Sequence, residues 1–324
     1  MRSGRVLPEI HRNPEQLTKP QMNATRLPNF LIIGAAKSGT TSLWRYLSQH
    51  PQVFFAPIKE PRFFSYEGES VAYVGPGDDK WEREIIRSWD SYRALFTPSE
   101  IHRAVGEASN VYLYFAAKTA PRIAARLPHV KLIAILRNPV DRAYSSFLML
   151  RGEGREPLAD FRRALREEAG RLERGWSPAW AYTRRGFYAE AIQTYLQCFP
   201  REQLRFFLYD DLVQRPQELF DSIFQFLGVD RFEPDTRRRY NVSIRPKSRR
   251  LAFLLHNRTL LSRTLRLFLP HSFRISFNQR LREWNIRQPA KLPAHLRAEL
   301  APLFREDILR VADLIERDLR GWMA

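Results

Sequence analysis

Nine consecutive residues, Gly34-Ala35-Ala36-Lys37-Ser38-Gly39-Thr40-Thr41-Ser42, bring together one lysine, two glycines and four hydroxyls. They follow the apolar run Phe30-Leu31-Ile32-Ile33 and lead into a helical pattern from Thr40 to His50. A strand, a turn of small residues and a helix N-terminus make an anion site. Free backbone N–H groups and the positive end of the helix dipole converge there. Gly34 and Gly39 let the chain curl round the anion. Ser38, Thr40, Thr41 and Ser42 add donors, and Lys37 adds a mobile positive charge. In the nucleoside-triphosphate loop Gly-x4-Gly-Lys-[Ser/Thr] the lysine follows the second glycine. Here Lys37 precedes Gly39, which disfavours a nucleoside triphosphatase. Taken alone, the nine residues also read as a capped βα turn carrying an exposed lysine.

A second anion site is suggested where Lys131–Leu136 runs into Arg137-Asn138-Pro139-Val140-Asp141-Arg142-Ala143-Tyr144-Ser145. Arg137 falls at the carboxyl end of the strongest strand pattern, where open α/β sheets bind ligands. Ser145 lies about two helical turns into the next element. An arginine and a serine flanking a strand-to-helix turn suit a second phosphate. By itself, Arg137 also reads as a cap on the sheet, paired with an acidic neighbour.

The elements that must position these residues alternate. Strands are predicted at Phe30–Ile33, Val53–Phe55, Lys131–Leu136 and Leu204–Tyr209. Helices are predicted at Thr40–His50, Trp89–Phe96, Lys118–Leu127, from Pro139 to about Met149, and from Pro216 to the stop at Gly228. Residues 67–80 read as a loop. Strands separated by helices predict an α/β fold with a central, mostly parallel sheet flanked by helices in three layers, α/β/α. Residues 1–28 form an extended tail punctuated by Pro8, Pro14, Pro20 and Pro28, and 29–324 form the domain.

Composition bounds the function. The 324 residues are 44% hydrophobic, which excludes global disorder. A single cysteine, Cys198, excludes an intrachain disulfide framework and a cysteine-based zinc site. No metal-ligand cluster is apparent, and His50, before Pro51, reads as structural. The chain has no apolar run of about 18 residues and no apolar leader, so a cytoplasmic location is expected. The formal charge is +18, and eight of the 53 basic residues are lysine, so the rest are arginine. A field of this sign favours anionic partners without identifying them.

The two segments together resemble those of sulfotransferases that use 3′-phosphoadenosine 5′-phosphosulfate (PAPS). Phe30–Leu43 resembles their 5′-phosphosulfate loop, and Leu136–Ser145 their 3′-phosphate motif. Gln49-His50-Pro51-Gln52-Val53 and Lys59-Glu60-Pro61-Arg62-Phe63-Phe64 are similar to the heparan-type and bacterial carbohydrate enzymes. Arg185-Gly186-Phe187-Tyr188 and Pro246-Lys247-Ser248-Arg249-Arg250 also fit. The resemblance implies a P-loop-like fold and a bacterial PAPS-dependent enzyme that needs no metal and leaves adenosine 3′,5′-bisphosphate. It implies that Lys37 and the backbone of Ser38–Thr41, with Ser42, hold the 5′-phosphosulfate. It assigns the 3′-phosphate to Arg137 and Ser145, helped by Lys247, Ser248 and Arg249. Tyr188 would line the nucleotide pocket. Glu60 matches the catalytic base, which would take a proton from an acceptor hydroxyl or, less readily, an amine. The other reading of Glu60 is an ion pair with Lys59 or Arg62. The heparan-type enzymes carry histidine where this chain has Arg62 and lysine where it has Ala108, so a cation on the acceptor side is missing.

The basic segment 249–287 mixes leucine and phenylalanine with arginine at helical spacing. It reads as an amphipathic helix docked on its own domain, or as one in peripheral contact with an anionic membrane near a glycan, lipid or small-metabolite acceptor. Two rival classes are a P-loop phosphoryl-transfer enzyme and a non-catalytic polyanion binder. The first needs an acidic magnesium ligand at a strand end. The second has no recognised nucleic-acid motif, so no specific nucleic acid is expected.

Overall fold

The computed structural model describes residues 26–237, 245–246, 286–287 and 292–323. Most of the expected tail, the three basic-loop residues Lys247, Ser248 and Arg249, and nearly all of the segment 249–287 lie outside the described residues.

Five parallel strands form the sheet: β1 (Phe30–Gly34), β2 (Val53–Phe55), β3 (Ala104–Ala108), β4 (Lys131–Leu136) and β5 (Leu204–Leu208). Their order is β2-β3-β1-β4-β5, with every pairing parallel. Successive residues of a strand point to opposite faces. Leu31 and Ile33 accordingly enter one core and Phe30 and Ile32 the other. Helices Ala116–Arg126, Ala189–Cys198 and Arg305–Ile315 cover the first face. Helices Thr40–Leu47 and Pro216–Leu227 cover the second. Burial on both faces explains why β1 and β4 are continuous apolar runs rather than alternating ones. The expected three-layer fold is therefore present, and its sheet is wholly parallel.

The sequence reading did not include β3. Its residues, Ala-Val-Gly-Glu-Ala, lack a β-branched run and contain a charge. Their strand conformation is set by neighbours. A Cβ on Gly106 would lie 2.4 Å from the Phe30 carbonyl oxygen, so only glycine permits the close approach of β1. Helix Asp78–Arg83 also begins inside the expected loop.

The chain leaves β1 toward β2 on one side of the sheet and later adds β4 and β5 on the other. The topological switch point thus lies between the carboxyl ends of β1 and β4, where such sheets open a crevice. A two-residue antiparallel ladder also pairs Arg245–Pro246 with Ile286–Arg287.

Candidate active site

The loop after β1 is shaped by two left-handed residues, Lys37 at φ 66° and Gly39 at φ 97°. A Cβ on Gly39 would meet Leu212 Cδ2 at 3.0 Å and Tyr209 Cδ2 at 3.1 Å, so glycine serves both the backbone and the packing there. Gly39 is the N-cap of helix Thr40–Leu47, and among the described residues no side-chain hydrogen bond caps that end. A helix N-terminus of this kind can bind an anion through its backbone N–H groups. Across the switch point, Asn138 Oδ1 accepts from the amides of Val140 and Asp141, and Pro139 takes the first position of helix Pro139–Gly152. This cap fixes where Arg137 leaves β4. The Arg137 guanidinium stacks 4.5 Å from the Tyr209 ring centroid, and its Nη1 donates to the Lys37 carbonyl at 3.2 Å. This hydrogen bond ties the loop after β1 to the turn after β4.

A single cleft of about 890 Å³ joins these parts. Its wall includes Lys37, Gly39, Thr40, Thr41 and Ser42 from the first segment and Arg137 and Ser145 from the second. Glu60, Arg62, Asn110, Arg185 and Tyr209 also line it. Ser145 on helix Pro139–Gly152 and Arg137 thus line the same cleft.

Two expected residues lie elsewhere. Ser38 is fully buried and lies outside the cleft wall, with its side chain beside the Tyr188 hydroxyl. Tyr188 is buried behind the site, outside the cleft wall, and its hydroxyl donates to the Arg137 carbonyl at 3.0 Å. Its backbone amide donates to Asp307 at 2.8 Å. Tyr188 thus braces the Arg137 backbone from behind the cleft wall. His50 is structural, as expected: Nε2 contacts the Asp230 carbonyl at 2.8 Å, and Nδ1 accepts from the Gln52 amide at 3.0 Å.

The charges are arranged for an anion. Lys37 is half-buried, and its Nζ contacts Met149 Sδ at 3.4 Å, a weak acceptor that leaves the cation available. Burial pushes Lys37 down to about 8. The Arg137 and Arg142 charges act in the same direction, and Glu153 and Glu60 oppose them. An anion beside Nζ favours the ammonium form. Binding of an anionic ligand between pH 8 and 9 is therefore expected to take up protons. Calorimetry in two buffers of different ionisation enthalpy measures this uptake, and a buffer-independent enthalpy would contradict it.

Glu60 lines the cleft and pairs with Lys59 at 2.6 Å and Arg62 at 3.3 Å. Burial alone would raise its pKa. Lys59, Arg62 and Arg185 outweigh burial and hold the carboxyl at about 2. Arg62 is itself fixed over the Trp81 ring, 4.4 Å from its centroid, and donates to the Trp81 carbonyl. Lys37, Glu60 and Arg62 are three of the four non-glycine residues with left-handed backbone among those described, and all three line the cleft. Such conformations cost about 1–3 kcal/mol each and persist where surrounding structure over-determines them, commonly at functional sites.

Asn110, Arg185 and Tyr209 were not assigned to the site from sequence. Only Arg185 carried a signal, its place beside Gly186-Phe187-Tyr188.

The sulfotransferase family model matches residues 28–234. The human heparan sulfate glucosamine 3-O-sulfotransferase 6 is 31% identical over 220 residues, covering 67% of this chain and 57% of that protein. The human bifunctional heparan sulfate N-deacetylase/N-sulfotransferase 3 is 32% identical over 212 residues, or 63% of this chain and 22% of that protein. The chain thus spans little more than half the length of the first of these relatives and about a fifth of the second. Among solved structures, a sulfotransferase from Alicyclobacillus acidocaldarius superposes with a TM-score of 0.73 at 34% identity. That match covers 92% of this chain and 100% of the other.

Proposed function

Because this chain belongs to the sulfotransferase family, we propose that it transfers a sulfuryl group from PAPS to an acceptor hydroxyl or amine. The observation that carries the reading is the single cleft that unites the Lys37 loop, the Arg137–Ser145 turn and the Glu60 carboxylate. Two anion sites joined by one hydrogen bond suit a ligand phosphorylated at two separated positions. In this reading Lys37, Gly39 and the backbone and hydroxyls of Thr40–Ser42 hold the 5′-phosphosulfate. Arg137 and Ser145 hold the 3′-phosphate, and Tyr188 supports Arg137 from behind. Lys247, Ser248 and Arg249, outside the described residues, are proposed to help bind the same phosphate.

The acceptor oxygen attacks sulfur in line with the departing bridging oxygen. Lys37 and the oriented N–H groups stabilise the charge that grows on that oxygen. Glu60 takes the acceptor proton. The cations around it cost basicity but keep it unprotonated at any working pH. The negative charges of the donor offset part of that field when PAPS binds. Proton transfer becomes favourable as the new O–S bond acidifies the attacking hydroxyl.

Adenosine 3′,5′-bisphosphate is expected to stabilise the protein against heat, by about 2.7 kcal/mol at one hundred times its Kd. Differential scanning fluorimetry with the bisphosphate, with ATP and magnesium, and with random DNA separates the classes. Stabilisation by ATP with magnesium alone would favour phosphoryl transfer, and by DNA alone a polyanion binder.

A further inference from the structure

Glu60 is gripped unequally at its two oxygens. Oε1 accepts from Lys59 Nζ and from Asn110 Nδ2, both at 2.6 Å. Oε2 accepts from Arg62 Nη2 at the longer distance of 3.3 Å. Asn110 in turn accepts on Oδ1 from Arg185 Nη2 at 2.9 Å. The chemistry of its partners fixes this amide. A guanidinium only donates and an ionised carboxylate only accepts, so Oδ1 must face Arg185 and Nδ2 must face Glu60. A carboxylate offers about two acceptor positions per oxygen. Among the described residues, both positions on Oε1 are filled, whereas Oε2 carries one long contact.

We infer that Asn110 and Arg185 are positioning residues: Arg185 orients Asn110, and Asn110 together with Lys59 saturates Oε1, which makes Oε2 the atom that receives the acceptor's proton. The inference rests on the sulfuryl-transfer reading and deepens it. In that step the acceptor oxygen bonds to sulfur while the bond from sulfur to the bridging phosphate oxygen breaks. The proton passes to Glu60 Oε2, and the electron pair stays on the departing phosphate beside Lys37. Among the described residues, Arg62 is the hydrogen-bond donor to Oε2, and Asn110 and Arg185 meet Oε1 and each other instead. They act through the carboxylate, from the segment after β3 and from the turn Arg184–Gly186.

The charged groups that act on Glu60 come from several segments. Lys59 and Arg62 belong to its own loop, Arg185 to the facing turn, Lys37 to the loop after β1 and Glu107 to β3. Burial, with the ionised Glu60 acting in the same direction, raises Glu107 to about 7 against the hydrogen bonds of Tyr112, Ser109 and Tyr92. The cations outweigh this carboxyl at Glu60. A change at Asn110 or Arg185 therefore alters one identifiable part of the field.

The test follows the Glu60 carboxyl by carbon-13 NMR, assigned through its loss in Glu60→Gln. In parallel, release of adenosine 3′,5′-bisphosphate from PAPS is measured with water as the acceptor probe. In the wild type the carboxyl is expected to stay ionised throughout the range from about pH 5 to 8. Asn110→Asp sets a second carboxylate against Oε1. It is expected to raise the Glu60 titration by more than about two units and to bring an acid limb into the kcat profile. Arg185→Gln keeps a donor toward Asn110 but loses the charge. A loss of about tenfold in kcat with unchanged KM for PAPS is expected, and Arg185→Lys should recover most of it. Wild-type titration and turnover in Asn110→Asp and Arg185→Gln, beside an inactive Glu60→Gln, would overturn the inference and leave the transferase reading intact. Loss of bisphosphate affinity in all three variants would make the pair structural and also overturn it. A wild type that neither binds the bisphosphate nor releases it from PAPS would overturn the transferase reading itself.

Discussion

Lys37→Ala is expected to lower sulfuryl transfer by about 10²–10³-fold, the usual effect of removing one preorganised group from a developing negative charge. The fold should survive. Lysine and alanine bear the same backbone constraint at φ 66°, and the only hydrogen bond lost within the described residues is the weak one to Met149 Sδ. Removing a half-buried ammonium also relieves repulsion with Arg137 and Arg142, so thermal stability should hold or rise slightly. Bisphosphate affinity should fall less than kcat, because Arg137, Ser145 and the helix N–H groups remain. Lys37→Arg is a poor rescue, since a planar fork replaces a compact point charge on a tight loop. Near-normal turnover in Lys37→Ala would remove this side chain from the mechanism.

The second large effect is Glu60→Gln, with an expected loss of about 10²–10⁴-fold in transfer and little change in bisphosphate affinity. The substitution is isosteric, and the glutamine carbonyl can still accept from Lys59 and Asn110. Linkage separates a base from a mere ion-pair partner. The Glu60 pKa is depressed from 4.5 to about 2, so its contribution to stability is full above about pH 4.5 and is lost as pH falls toward 2. The stability gap between wild type and Glu60→Gln should therefore be constant at neutral pH and close over that acid window, in urea denaturation at several pH values. The transfer defect, in contrast, should persist at every pH where the wild type is folded. Equal losses of donor binding and transfer would reduce Glu60 to a structural ion pair.

Arg142 shows how the site depends on what surrounds it. It is fully buried, it donates to the Tyr182 carbonyl, and its Nε and Nη1 have no partner among the described residues. Its charge adds to the positive field that lowers Lys37 and Arg185. In the sequence it is one arginine among many. Only its burial distinguishes it from a solvated surface cation.

The sequence by itself determined the parts built from contiguous residues. The strand Phe30–Gly34, its small-residue loop and the following helix are local in origin, and so is the turn from β4 through Asn138 and Pro139. Hydrophobic runs and capping chemistry specify such units before any tertiary contact forms. Even the structural role of His50 followed from its place before a proline. The tertiary structure alone decided which distant residues share the cleft. β3 exists because Gly106 admits Phe30 at close range, and its position carries Asn110 to Glu60, fifty positions earlier in the chain. Arg185 reaches Asn110 across seventy-five positions, and Tyr188 withdraws behind Arg137. Of the three cations that act on Glu60, Lys59 and Arg62 come from its own loop, and Arg185 reaches it only through these meetings. Distances between side chains are set by how layers pack, and no local pattern encodes them.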